Sequence, residues 1–262
     1  MPKTAPKLLV LAALSFSLAP HVKEAQGATA AVPNATELIK KSEFQTRGNS
    51  VESHMAMTVI RGSTERNLEI KVWSSGTDKA VVKILAPAKD RDTGNLRLKF
   101  DLWQYLPNLE RTIKIPPSMM LQSWMGSDFT NDDLVKTTSI SRDYTHKLLG
   151  EETVNGMKTY KIECIPKKDA PIAWGKILIW VRNPDAVPVK NEFYTENGQL
   201  AKVMIGTELK TFGSHTIATK LTMKLPRKAD NETRIEYSDV KFDHEIPANT
   251  FTQEFLKKRA KN

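Results

Sequence analysis

Residues 67–73 read Asn-Leu-Glu-Ile-Lys-Val-Trp (NLEIKVW), and in an extended chain Leu68, Ile70 and Val72 fall on one side while Glu69 and Lys71 fall on the other. Strict alternation of this kind marks a strand with one dry face and one wet face. The same period returns in residues 95–100 (NLRLKF), where Leu96, Leu98 and Phe100 share a side, and again at Ile217, Leu221, Met223 and Leu225. Strands wetted on one face belong to antiparallel sheets, because parallel sheets are covered on both. Turn signals separate the runs: Arg61-Gly62-Ser63, Ser75-Gly76-Thr77, Val154-Asn155-Gly156, Glu196-Asn197-Gly198 and Ala229-Asp230-Asn231. Asn155-Gly156 and Asn197-Gly198 are the strongest hairpin candidates, since both residue types accept positive φ. About ten or eleven strands are expected from this spacing.

Helical periodicity is scarce by comparison. Asn34 can cap a helix that carries Glu37 three residues on, with Leu38, Ile39, Ser42 and Glu43 continuing the turn spacing. A second, short helix is expected to start after Pro116-Pro117 and to stop at Gly126. A third turn is expected at Thr130, where Asp132 and Asp133 suit the positive end of the dipole, and a last one between Phe251 and Lys258. Eleven strands at about 4.8 Å make a sheet about 50 Å across, whereas a helix with its side chains is about 10–12 Å wide. A few short helices cannot roof such a sheet, so its apolar face must curl, pair with a second sheet, or enclose a hollow. The expected fold is mainly β with few helices (α+β): a curved antiparallel sheet with a thin lid of short helices.

The chain has 262 residues, 40% of them hydrophobic and 26% charged, which excludes disorder and suits one domain over residues 31–262. At the start, MPKTAPKLLVLAALSFSLAP places Lys3 and Lys7 before an apolar run from Leu8 to Ala19 that is too short to span a bilayer. It reads as a secretory signal peptide over residues 1–27, with cleavage after Gly27 or Ala30, and hence as an exported protein. Cys164 is the only cysteine, so no intramolecular disulfide can form. Alternation in YKIECIP puts Tyr160, Ile162 and Cys164 on one strand face, which fits a buried, inert thiol. The full chain carries a net charge of +9, and loss of Lys3, Lys7, Lys23 and Glu24 with the leader leaves +7. Basic residues are not gathered with stacking aromatics, so nucleic acid is not an expected partner, whereas a basic exported protein could meet anionic lipid or an acidic surface. The densest basic run, Lys257, Lys258, Arg259 and Lys261, reads as a solvated end.

Residues 102–134 hold Trp103, Trp124, Met119, Met120 and Met125 on either side of Pro116-Pro117. On the expected helix, Met120, Leu121, Trp124 and Met125 lie at three- and four-residue spacings and form an apolar side. That side either plugs the sheet as ordinary core or closes over a hydrophobic guest, a role that flexible methionines suit. Trp103 and Tyr105 alternate onto the face opposite Leu98, Phe100 and Leu102 if the strand runs on, which would set them at the rim.

The runs LWQYLPNLERTIKI (102–115) and SWMGSDFTNDDL (123–134) resemble the central motif of the outer-membrane lipoprotein-sorting proteins, the LolA-like periplasmic carriers. The likeness is to the branch that accompanies exporters of the resistance-nodulation-division (RND) type. Matching runs follow in order: WGKILIWV from Trp174, PVKNEFYTENGQLAKVM from Pro188 and IPANTFTQEFL from Ile246. Trp124 stands where phenylalanine is more usual, and Asn131 where an aromatic often stands. The resemblance implies a half-barrel of antiparallel strands closed by short lid helices, and a periplasmic, monomeric carrier that holds lipid or the acyl chains of a lipoprotein in its hollow and passes them between membranes. It also implies transient contact with a membrane or membrane protein, with an RND-type exporter as partner. The ligand-binding residues expected are Met119, Met120, Leu121, Trp124 and Met125 in the lid, with Trp103 and Tyr105 at the rim. An envelope sensor or scaffold that binds lipid or a partner segment without transport is the alternative.

Catalysis has little support. His54, His146, His215 and His244 are scattered, and no nucleophile elbow, zinc-protease motif or phosphate loop is present. Asp128, Asp132 and Asp133 lack the glycine and glutamate of a calcium loop, so capping and solvation are expected of them instead of a metal. No cofactor is expected.

Overall fold

A computed structural model describes Met1 and residues 32–136, 140–168 and 174–259. The expected leader, its cleavage points and Lys261 lie outside the described residues. Residues 33–262 make one compact unit, distinct from Met1–Val32. In it the alternating runs become thirteen strands: β1 (Ser50–Arg61), β2 (Thr64–Ser75), β3 (Lys79–Ala86), β4 (Gly94–Leu98), β5 (Asp101–Leu106), β6 (Arg111–Lys114) and β7 (Tyr144–Val154). The others are β8 (Met157–Pro166), β9 (Lys176–Arg182), β10 (Pro188–Tyr194), β11 (Leu200–Phe212), β12 (His215–Lys224) and β13 (Asn231–Phe242). Helices α1 (Ala35–Arg47), α2 (Asn131–Lys136), α3 (Ile140–Asp143) and α4 (Gln253–Lys257) accompany them.

All thirteen strands join one sheet in the order β6-β5-β4-β3-β2-β1-β13-β12-β11-β10-β9-β8-β7, with antiparallel pairing throughout. The sheet is not closed into a barrel: β6 and β7 are its free margins. Register shifts set an extra residue of β13 against β1, of β3 against β2, of β7 against β8 and of β11 against β10, and these bulges bend the sheet. The result is the curved sheet that the alternation implied, in the half-barrel form that the resemblance implied.

The two faces are told apart by pairing. Met55 faces Ile70, Ile70 faces Ile84, and Val72 faces Val82, which puts all of them on the concave side. Val81, Leu96 and Trp103 pair in a row on the convex side, where Phe251 and Leu256 from the C-terminal segment cover them. Asn155 (φ 49°) and Gly156 (φ 76°) form the two-residue hairpin between β7 and β8, as their types require.

Two expectations fail. Residues 95–105 are not one strand. The backbone reverses at Lys99 (φ 54°), whose N–H bonds the Asp78 carbonyl at 2.6 Å, and this reversal splits β4 from β5. Phe100 therefore stands in the turn, 60% exposed, and Trp103 shares a face with Leu96. The added hairpin also lifts the strand count above ten or eleven. Nor is there a single helix from Pro117 to Gly126. Two separate turns of 3-10 helix, Pro117–Met119 and Trp124–Gly126, replace it, because Met125 adopts φ 51° and breaks the helical path.

Candidate functional site

The concave face and the segments laid across it enclose a cavity of about 430 Å³. Its floor comes from strands in both halves of the sheet, including Met55, Val82, Ile179, Phe193, Met204 and Met223. Its cover comes from α1, from Trp124, Phe129 and Leu134, and from α3. Tyr237 lies deep in it, where loss of water pushes the phenol pKa up, yet the ring is only half-buried because it borders open space.

α1 is fixed at both ends. Asn34 accepts from the N–H groups of Thr36 (2.9 Å) and Glu37 (3.2 Å), which caps the helix as expected. Ile39 packs among Ile162, Ile177 and Ile179, so the helix seals the β7–β10 end of the trough. His146 Nε2 lies 2.9 Å from the Ile140 carbonyl, which can only accept, so Nδ1 is left to accept from the Thr36 hydroxyl at 3.1 Å. At the other end His215 is buried, with Nδ1 3.1 Å from the Phe44 carbonyl and Nε2 2.7 Å from Asp243 Oδ2. Asp243 Oδ1 accepts from the Asn49 N–H at 2.6 Å, and that bond, with His215 next, holds the carboxyl below the usual range. Gly48 (φ 54°) makes this approach feasible, since a Cβ there would stand 2.5 Å from Asp243 Oδ1. Two of the scattered histidines, His146 and His215, thus anchor the helical cover, a role that one-dimensional spacing does not reveal.

The segment 123–134 is tied down in sequence across the sheet. Trp124 is 2% exposed, and its Nε1 donates to Asn95 Oδ1 on β4 at 3.0 Å. Asp128 meets Arg61 of β1 at 3.0 Å and accepts from the Thr233 hydroxyl of β13 at 2.8 Å. Asp133 pairs with Lys202 of β11 at 2.6 Å, and these two side chains are 8% and 3% exposed. Asp133 also accepts from Thr130 N–H (2.7 Å) and hydroxyl (2.9 Å), which closes the first turn of α2. The Lys202 ammonium stands 4.7 Å above the Trp174 ring. Asp128 and Asp133 are thus engaged as structural anchors. Among the described residues, no group of three or more His, Cys, Asp or Glu could hold a metal.

Of the seven residues expected to bind ligand, Trp124 lines the cavity. Met119 and Met120 pack on Leu102, Ile115 and Leu134, and so fill the β5 end of the concave side. Met125 packs against the cluster around Trp124, while Leu121 is 63% exposed. Trp103 and Tyr105 lie on the convex side with Phe251 and Leu256. Phe129, Leu134 and α1 complete the cover, and the sequence reading missed them as cavity walls. Cys164 is fully buried, and burial pushes its thiol up to about 12, as an inert core thiol requires.

A family model, described as that of an uncharacterized protein, matches residues 76–258. A crystal structure of a DUF1329 family protein from Desulfovibrio piger is similar at a TM-score of 0.79 and 22% identity, covering 85% of this chain and 97% of that one. The chain belongs to the family that the matching model describes, and its fold is LolA-like. The LolA-like fold is shared with a domain from Vibrio parahaemolyticus named for outer-membrane lipoprotein sorting, at a TM-score of 0.76 and 22% identity over 86% of this chain and 98% of that one. A LolA superfamily protein from Nitrosomonas europaea gives 0.72 and 23% identity over 86% and 100%. No curated protein matches the chain. Among the described residues, no helix is long and apolar enough to cross a membrane.

Proposed function

We propose that this LolA-like protein is a periplasmic carrier that shelters lipid, or the acyl chains of a lipoprotein, in the concave cavity and passes them between membranes, with an RND-type exporter as partner. The observation that carries the reading is the cavity itself: about 430 Å³ of space is kept open beneath a tethered cover and walled by Met55, Val82, Phe129, Ile179, Phe193 and Met204. Large apolar surface is not left unfilled in a monomeric domain without a reason, and each methylene moved from water into such a trough gains about 0.8 kcal/mol. Binding is then easy and release is the harder half, which calls for a membrane or membrane protein that offers the chains equal shelter. The expected leader, with mature residues following Gly27 or Ala30, supports export, and the central motif at 102–134 supports the link to an exporter. The reading assigns the chain no catalytic step, metal or cofactor, and it takes the carrier to work as a monomer.

The test is mass spectrometry of lipid that co-purifies under mild extraction, followed by transfer of a fluorescent acyl lipid between vesicle populations. The carrier reading expects bound lipid and faster exchange. Bound lipid without faster exchange would favour a sensor or scaffold, and neither lipid nor probe uptake would remove both.

A further inference from the structure

One polar side chain in the cavity floor has no hydrogen-bond partner among the described residues. Asn191 lies on β10, directly opposite Ile179 of β9 and Met204 of β11, and Phe193 is the next residue on the same face of its strand. All four line the cavity, and the other three are apolar. Asn191 is 9% exposed. Among the described residues nothing donates to its Oδ1, which is wholly enclosed. Its Nδ2 has no described acceptor and is not enclosed in that way, so the NH2 edge is the part of the amide that borders the hollow.

The fold itself does not call for an amide at this place. Asparagine is a poor strand former, and a β-branched apolar residue would pack better between Ile179, Met204 and Phe193. A buried amide without partners costs its desolvation, and buried polar groups are almost always bonded. Asn95, a second buried amide on the concave side, has a structural task, since its Oδ1 accepts from Trp124 at 3.0 Å. The charged side chain closest in register is Lys202, which stands opposite Phe193 and is engaged by Asp133 at 2.6 Å. Asn191 has no such task. An apolar trough with a single uncharged polar group set in its floor is how small-molecule sites fix the position of a ligand.

We propose that Asn191 is a handle for the cargo's acyl carbonyl: its NH2 group donates to the carbonyl oxygen of an ester or amide linkage, so the linkage enters the trough together with the chain. This inference rests on the carrier reading above and deepens it by naming the group recognised, an acyl ester or acyl amide as against a bare hydrocarbon or an ether. A carbonyl oxygen accepts readily from an amide N–H, and a neutral hydrogen bond of this kind contributes about three- to tenfold in affinity.

The experiment uses the whole protein loaded with a fluorescent acyl probe and displaced by three uncharged competitors matched in chain length: methyl palmitate, N-methylpalmitamide and hexadecyl methyl ether. The ester and the amide should displace the probe about three- to tenfold better than the ether, and the stronger of the two identifies the linkage. Asn191→Leu removes the hydrogen bond at similar shape; it should bring the three competitors together without weakening the ether, and should melt no lower than wild type. Methyl palmitate isotope-labelled at its carbonyl should show a lower C=O stretching frequency in wild type than in Asn191→Leu, a signature that a purely structural asparagine would not give. If Asn191→Leu does not fold, Asn191→Val is read in its place. Equal displacement by all three competitors, which a water bound at Asn191 would produce, or a carbonyl preference that persists in the variant, overturns the inference while the carrier reading stands. If no probe enters the protein at all, both fall together.

Discussion

Removal of the Lys202 charge is the perturbation that most directly tests how the cover is held. The ammonium is 2.6 Å from Asp133 Oδ2, and both side chains are almost wholly out of water. Lys202→Met leaves a buried carboxylate whose remaining partners are the N–H and hydroxyl of Thr130. Breaking a buried pair from one side costs about 3–5 kcal/mol, and the Thr130 bonds place this case near about 3 kcal/mol. Asp133→Asn keeps an acceptor for Thr130 and leaves the ammonium above the Trp174 and Phe193 rings, at 4.7 and 5.4 Å. Those rings offset part of the loss, so about 2 kcal/mol is expected. Independent effects would sum to about 5 kcal/mol, but the double variant removes the interaction only once and should lose about 3 kcal/mol, a coupling of about 2 kcal/mol. Urea unfolding of the four proteins, followed by tryptophan fluorescence and by circular dichroism, measures each term. Additive losses within about 0.5 kcal/mol would refute the idea that this pair ties α2 to β11.

Further outcomes follow from other contacts. Trp124→Ala removes a 2% exposed ring that borders the cavity and should cost about 3–5 kcal/mol, whereas Trp124→Phe should cost about 1–2 kcal/mol by depriving Asn95 Oδ1 of its donor; thermal melts of both variants separate packing from the hydrogen bond. Gly48→Ala sets a Cβ 2.5 Å from Asp243 Oδ1 at φ 54° and should lower stability by more than about 1 kcal/mol, measured by urea midpoint. The Asp243 carboxyl is held below its ordinary value in the folded protein, so its contribution is present above the unfolded carboxylate value of about 3.9 and is lost as pH falls through the lower folded value; the Tm gap between wild type and Asp243→Asn should therefore shrink below about pH 4. Cys164 should resist thiol reagents at pH 8 in the folded state and react only as fast as the chain unfolds, so labelling faster than unfolding would contradict its burial.

Much of the sheet was legible because each strand advertises its own period. NLEIKVW needed no partner to declare which residues face inward, and Asn155-Gly156 carries in two residues the geometry of its turn. The β4–β5 hairpin was hidden because Leu96 to Leu102 alternates without interruption and the reversal uses Lys99 and Phe100, neither a turn-forming type. The lid was misread as a helix for a related reason: Met120, Trp124 and Met125 have helical spacing, but Met125 takes a left-handed conformation fixed by what surrounds it, including Arg66 Nη1 on its carbonyl at 3.0 Å. The site was the least legible part. Its walls come from strands far apart in the chain, and pairs such as Lys202 with Asp133 or Arg61 with Asp128 exist only once the sheet has brought them together.

The strand order has a mechanical corollary. β6 and β7 are opposite margins of the sheet, and of the connection between them the described residues 115–136 and 140–143 lie over the hollow. Twelve inter-strand gaps of about 4.8 Å would set those margins about 58 Å apart if the sheet were flat, so curvature shortens the chord that this connection follows. The connection behaves as a bowstring, knotted to the bow at Asn95, Thr233 and Lys202. Flattening the bow draws on those knots before it strains the strands. A neighbour that grips only the outer margins can therefore lift the string from its notches, and open the interior, without ever touching it.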